Sequence, residues 1–285
     1  MRIYFFILSF IFLIACEKEI DLKLDISEPQ LVVDASIENG VPPVVVLSSS
    51  LSYFKQINPE IITSSYVHNA NVIINDGIAD YALQEDSIKT NGGVFYFYTT
   101  KQLVGIIKRK YNLTVKIGND IYKSSTTIPE ITRKIDSVWW EKPPFGNDTI
   151  NAVLMIKATD RPGLGDCIRY FTKVNGSRFL PGLNSVFDDA LVDGKTYSVS
   201  IDKGVDKNIG AQPDSGSFKR GDTVTLKLCN IDRQTFDFWR TFEFNYQSVG
   251  NPFSSPTKIL STISGNAIGY FGGYGAQYRT LIIPK

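Results

Sequence analysis

The sequence predicts a mainly β protein, with two β-sandwich domains of the immunoglobulin or fibronectin kind and one helix in the second. Three observations carry this expectation. Short runs rich in Val, Ile, Thr and aromatic residues recur along most of the chain. Clusters of Gly, Asn, Asp and Pro separate them at regular intervals, as turns between strands do. A single stretch near residues 232–249 has a helical period instead. The length of 285 residues suffices for two cores. The expected divisions are a leader over 1–15, a tether over 16–28, one sandwich over 29–130 and a second over 131–285.

The leader has Arg2, an apolar run from Ile3 to Ala15 broken only by Ser9, and then Leu13-Ile14-Ala15-Cys16. About 13 apolar residues are too few to span a bilayer, which needs roughly 20. The pattern is that of a secretory signal ending in a cysteine, and it resembles a bacterial lipobox. Cleavage before Cys16 and acylation of its thiol, with palmitate for example, would hold the protein on a membrane, since each buried CH₂ contributes roughly 0.8 kcal/mol. Residues 17–28 alternate charge with short apolar residues and read as a tether. Acidic residues just after the cysteine also resemble a surface-export signal of some Gram-negative bacteria.

Strands are expected over 31–37 and 44–50, with Asn39-Gly40 and Pro42-Pro43 between them. A polar loop runs past Asn58-Pro59. Residues 70–75 and 78–83 form a hairpin about Asp76-Gly77. Asn91-Gly92-Gly93 turns into a strand over 94–98, and 111–117 pairs with 121–124 across Gly118-Asn119-Asp120. Tyr111 stands where a tyrosine corner is expected. Pro129 ends this domain. The second domain has strands at 135–140, 152–158, 167–174, 197–201 and 223–228, with loops at Pro143-Pro144, Gly146-Asn147 and Asp160-Arg161-Pro162-Gly163. Residues 179–193 read as an irregular loop.

The helix has Asp232 as its cap, an Ile231–Phe236 staple, and an aromatic face of Phe236, Trp239, Phe242 (or Glu243) and Tyr246. Gly250 and Pro252 end it. Its aromatic face fits packing onto a sheet. The tail holds Gly269-Tyr270-Phe271-Gly272-Gly273-Tyr274-Gly275. Its aromatics suit either closing strands or a ligand platform of Tyr270, Phe271 and Tyr274, and its glycines let backbones approach closely.

Without Arg2, 29 basic residues balance 29 acidic ones. That neutrality argues against a nucleic-acid partner, which leaves a basic imbalance. Beyond Cys16 the cysteines are Cys167 and Cys229, either a disulfide or two buried thiols. His68 is the one histidine; near it Ser64 and Ser65 lack a nucleophile elbow. One histidine and two distant cysteines do not make a zinc set. Asp188-Asp189 with Asp193 is the nearest approach to a calcium loop and lacks the alternating spacing. No catalytic set and no cofactor are expected.

The order of several short motifs resembles a known family. They are Cys16-Glu17-Lys18-Glu19-Ile20-Asp21, Leu31-Val32-Val33, and Tyr111 with Leu113-Thr114-Val115, then Gly118 and Tyr122 before Ile128-Pro129. Asp136-Ser137-Val138-Trp139-Trp140, Gly221-Asp222-Thr223-Val224, Asn251-Pro252-Phe253, Gly265-Asn266 and Gly269-Tyr270-Phe271 follow. The chain resembles domain-of-unknown-function family 4249 over nearly all of its length after the leader. The resemblance implies an outer-membrane lipoprotein commonly encoded beside a TonB-dependent receptor, with no catalytic residues to carry over. The expected function is therefore a non-enzymatic accessory or ligand-binding partner of a TonB-dependent transporter. The alternatives are a surface hydrolase of polysaccharide or peptide, and a structural or adhesive surface protein.

Overall fold

The computed structural model describes residues 29–51, 58–90, 93–144, 148–207, 216–249, 251, 253–255 and 257–285. The leader, Cys16, the tether, Asn91-Gly92, Gly146-Asn147, Gly250 and Pro252 lie outside them. The described chain is mainly β. Its first half has β1 (Leu31–Glu38), β2 (Val44–Ser49), a short helix α1 (Pro59–Ser65), β3 (Asn71–Asn75), β4 (Asp80–Thr90), β5 (Gly93–Thr99), β6 (Lys110–Ile117) and β7 (Asp120–Thr127). The second half has β8 (Lys134–Glu141), β9 (Asn151–Thr159), β10 (Cys167–Val174), β11 (Leu180–Asp188), β12 (Thr196–Ile201), β13 (Phe218–Lys219), β14 (Thr223–Ile231), helix α2 (Arg233–Ser248) and β15 (Ala267–Ile282).

Local chemistry explains the elements. In β1 the buried residues Leu31, Val33, Ala35 and Ile37 alternate with Val32, Asp34, Ser36 and Glu38, the period of a two-faced strand. Asp76 closes the β3–β4 turn by accepting from the amides of Ile78 and Ala79, each at 3.0 Å. The Tyr111 hydroxyl accepts from the Ile106 amide at 2.8 Å while its ring is fully buried, the bond of a tyrosine corner. Asp232 caps α2 by accepting from the Thr235 amide at 2.9 Å.

Eleven strands form one sheet in the order β11-β10-β14-β15-β1-β2-β5-β4-β3-β6-β7. A smaller layer has β12-β9-β13, with β8 also paired to β9. The large sheet does not stop at the expected boundary near residue 130. Its link is β15, which runs parallel to β1 and antiparallel to β14. One core holds β1–β7 side chains such as Val33, Ile74 and Leu113 together with Ile263, Ala267 and Phe271 from the tail. A second lies between β8–β9 and the β10–β14 strands, with Leu154, Ile156, Leu226 and Leu228 buried there. A third cluster packs Phe236 and Phe238 of α2 on Cys229, Tyr270 and Tyr274, and the C-terminal tail completes the first core.

The tail glycines make this possible. The first region curls so that β7 comes back against β15. A Cβ on Gly273 would lie 2.6 Å from the Thr127 carbonyl oxygen, so only glycine permits this approach. Gly269 has φ of 128° and its missing Cβ would overlap the Val33 carbonyl across the β1–β15 pair. The second oxygen of Asp232 ties the join, accepting from the Thr126 hydroxyl at 2.6 Å and the Thr127 amide at 3.2 Å.

Three expectations are corrected. The polar loop past Asn58 includes α1, capped by the Asn58 side chain accepting from the Ile61 amide at 2.8 Å. Residues 180–188 form strand β11 rather than irregular loop. Pro181 and Gly182 hid it, and both are tolerated because β11 is the edge strand and the β10–β11 register shifts between Arg169 and Phe171. The tail is one long strand, not a pair.

A cleft on one face of the shared sheet

Adjacent strands β10, β14, β15 and β1 turn one face toward the two cores. Their opposite face forms the floor of a cleft of about 470 Å³. Asp34, Ser36 and Glu38 rise from β1, Tyr270 and Tyr274 from β15, Lys227 from β14, and Arg169 and Phe171 from β10. Register places Asp34 beside Tyr270 and Glu38 beside Tyr274. Trp239 and Phe242 of α2 and the Val205-Asp206-Lys207 segment form walls. The position follows from strand alternation: the polar residues of β1 that would face bulk water on a free sheet face this cleft instead.

Arg169 organises one side. Its buried guanidinium lies 3.4 Å from the centre of the Trp239 ring and 4.7 Å from that of Phe171. Its Nε donates to Ser185 Oγ at 3.1 Å and its Nη1 to the Tyr274 hydroxyl at 3.1 Å. Ser185 donates in turn to buried Glu243 of α2, through Oγ at 2.6 Å and its amide at 2.8 Å. Lys207 Nζ completes this arm, donating to Glu243 at 3.0 Å. Burial lowers the Lys207 pKa, an effect that Glu243 opposes. The position left as Phe242 or Glu243 thus holds both: Phe242 meets the cleft, and Glu243 anchors the helix to β11.

The other acids divide by partner. Glu38 is bound by Lys227 at 3.0 Å and by the Tyr278 hydroxyl, and Asp206 by Arg178. Asp34 makes no ion pair among the described residues. Its carboxylate is open to the cleft, yet protein surrounds it. That crowding raises its pKa; a hydrogen bond from Tyr270 and the charge of Arg169 oppose the shift. Burial, with Asp34 and Tyr274 beside it, lifts the Tyr270 phenol well above its ordinary range. A carboxylate open to the cleft, set among fixed aromatic and cationic groups, suits a bound molecule that brings hydrogen-bond donors. It does not suit glycoside hydrolysis by Asp34 and Glu38: four residues along a strand is about 13 Å, wider than the roughly 5–9.5 Å that paired carboxylates need.

The platform expectation is corrected in part. Tyr270, Phe271 and Tyr274 are all buried, so they form no exposed surface. Tyr270 and Tyr274 line the cleft, while Phe271, one residue out of phase, packs in the first core. Of the expected aromatic face of α2, Phe236, Trp239 and Phe242 pack on this sheet while Tyr246 is exposed, and Phe238, outside that face, stacks on Tyr270 at 4.8 Å. Sequence reasoning missed Asp34, Glu38, Arg169, Lys207 and Lys227. Only the polar alternation within β1 hinted at them, since nothing local distinguishes a cleft floor from a wet face.

Cys167 and Cys229 are both buried and unbridged. Cys229 lies opposite Arg169, so the two cysteines are diagonal neighbours, roughly 7–8 Å apart and beyond the usual disulfide reach. Burial pushes their thiols up to about 11 and about 12. His68 faces Glu85, while the hydroxyls of Ser64 and Ser65 donate to helix carbonyls, so no Ser–His pair forms. Asp193 accepts from the Gly163 amide at 2.6 Å, and of Asp188, Asp189 and Asp193 only Asp189 joins a close acidic group.

Among the described residues no helix is long and apolar enough to cross a membrane. No curated protein matches the sequence. A family model described as a domain of unknown function (DUF4249) matches residues 17–280, a span that includes every residue lining the cleft. The chain belongs to this family.

Proposed function

We propose that the protein is a non-enzymatic lipoprotein of the outer membrane. It is held by acyl chains on Cys16, and its cleft binds a small polar ligand for a TonB-dependent transporter. The observation that carries the binding role is the accessible Asp34 carboxylate, without an ion pair among the described residues, set among fixed aromatic and cationic walls. A ligand with ammonium or clustered hydroxyl groups satisfies Asp34, and an apolar or planar portion packs beside Trp239 and Phe242. The leader ending in Cys16 supports the lipid anchor, and the family resemblance supports the transporter as partner.

Affinity isolation from solubilised membranes tests the partnership. It is expected to recover a TonB-dependent receptor together with the lipoprotein, and repeated recovery of the lipoprotein alone would contradict it. Cys16→Ser is expected to release the protein from the membrane fraction; a variant that stays membrane-bound would refute the anchor.

A further inference from the structure

A second cluster lies away from the cleft. Asp160 follows β9, Asp166 precedes β10 and Asp189 follows β11. Each offers one carboxylate oxygen within 4.8 Å of the others. Register explains the closeness: Cys167 pairs with Asp188, which sets Asp166 across from Asp189 at the end of the β10–β11 hairpin. Like charges facing each other across a hairpin are destabilising unless something compensates them.

The compensation within the protein is incomplete. Arg133 donates to Asp160 Oδ1 at 3.0 Å, with both side chains buried. It makes the only ion pair of the three carboxylates among the described residues. Asp189 Oδ2 accepts from the amides of Gly165 and Asp166, each at 2.8 Å. Among the described residues Asp160 Oδ2, on a residue only 2% exposed, and Asp166 Oδ2 are buried with no hydrogen-bond partner, and so is Arg133 Nη2, so the guanidinium meets Asp160 through one oxygen only. A buried, charged oxygen without a donor is costly and calls for a cation or a proton. Three carboxylates against one guanidinium leave a local charge of −2.

We infer that Asp160, Asp166 and Asp189 bind one calcium ion. An all-oxygen set selects a hard cation, and an irregular site on loops suits the flexible coordination of calcium better than the strict octahedron of magnesium. Arg133 keeps Asp160 Oδ1, which leaves Oδ2 for the ion. Half-buried Asp166 gives access from solvent. Three carboxylates, one of them shared with Arg133, place the affinity with extracellular modules, at about 10⁻⁴–10⁻³ M. The ion clamps the β9–β10 loop to the end of β11. It therefore steadies the two strands that carry Arg169 and Ser185 into the cleft, although the site does not depend on what the cleft binds.

Equilibrium dialysis of radioactive calcium against the detergent-solubilised full chain, stripped with a chelator, tests this directly. One calcium per chain is expected. Thermal unfolding should shift upward by about 5–10 °C at a hundredfold excess over the dissociation constant, and by much less with magnesium. Asp166→Asn spares the Arg133 pair; it should abolish both binding and the calcium shift, and in chelator it should melt no lower than wild type. Absence of stoichiometric calcium on the wild-type chain would overturn the assignment. So would full binding by Asp166→Asn, or an equal response to magnesium. The wild-type measurement stands even if the variant fails to fold.

Discussion

The two faces of the β10–β14–β15–β1 sheet are made by alternate residues of the same strands, yet they solve opposite problems. Val33, Phe271, Leu226 and Leu228 point one way and are sealed in two cores. Asp34, Tyr270, Lys227 and Arg169 point the other way and hold charge around a water-accessible space. The sealed face derives its stability from apolar area, roughly 1.5–3 kcal/mol for each large side chain. The cleft face holds buried and half-buried charge, which favours folding little or opposes it, beside an apolar cluster of Cys229, Tyr270 and Tyr274 under Phe236 and Phe238 of α2. Substitutions at the sealed apolar positions should therefore change stability, and those at the charged positions of the cleft should change binding.

Gly269→Ala tests the join on which both faces depend. Its Cβ would overlap the Val33 carbonyl at φ of 128°, so a loss of about 4 kcal/mol or more is expected in denaturant unfolding. Phe271→Ala should cost about 3–5 kcal/mol through the cavity it leaves in the first core, with ligand affinity little changed in the protein that remains folded. A sealed apolar face gives no pH dependence, so acid sensitivity must originate elsewhere, and Asp76 is the expected source. Donation from the Ala79 amide, supported by Ile78 and by Arg109 at 2.6 Å, holds its carboxyl below the ordinary value. Its contribution is present above the unfolded value near 3.8 and is lost as pH falls through the lower folded value. Asp76→Asn should therefore cost about 1–3 kcal/mol at neutral pH and flatten the acid limb of a stability–pH curve. Asp34→Asn should have the smallest effect on stability. The raised Asp34 pKa means that the folded state favours its neutral form, which is fully present below the unfolded value and lost as pH rises through the folded one. At neutral pH the variant should melt no lower than wild type.

Much of this sheet is legible in the residues. Alternation in β1, the turn at Asp76-Gly77, the corner at Tyr111 and the cap at Asp232 each rest on chemistry within a few positions. Strand β11 was not legible, because Pro181 and Gly182 signal a loop unless the strand is known to lie at an edge. The cleft was legible only in fragments. Tyr270 and Tyr274 stand out as aromatics, but whether a polar residue such as Asp34 meets water or a wall is decided by α2, some 200 positions later in the chain. The proposed calcium site shows the same limit: Asp160, Asp166 and Asp189 match no spaced motif, and it is the β10–β11 pairing that sets Asp166 across from Asp189.

The most direct test compares small molecules released by denaturing wild-type and Asp34→Asn protein, each isolated natively from its own membranes. A single polar compound rich in hydrogen-bond donors should accompany the wild type. It should fall about a hundredfold in the variant, the loss of one charged hydrogen bond. Equal retention of the same compound by both proteins would contradict a cleft built around Asp34.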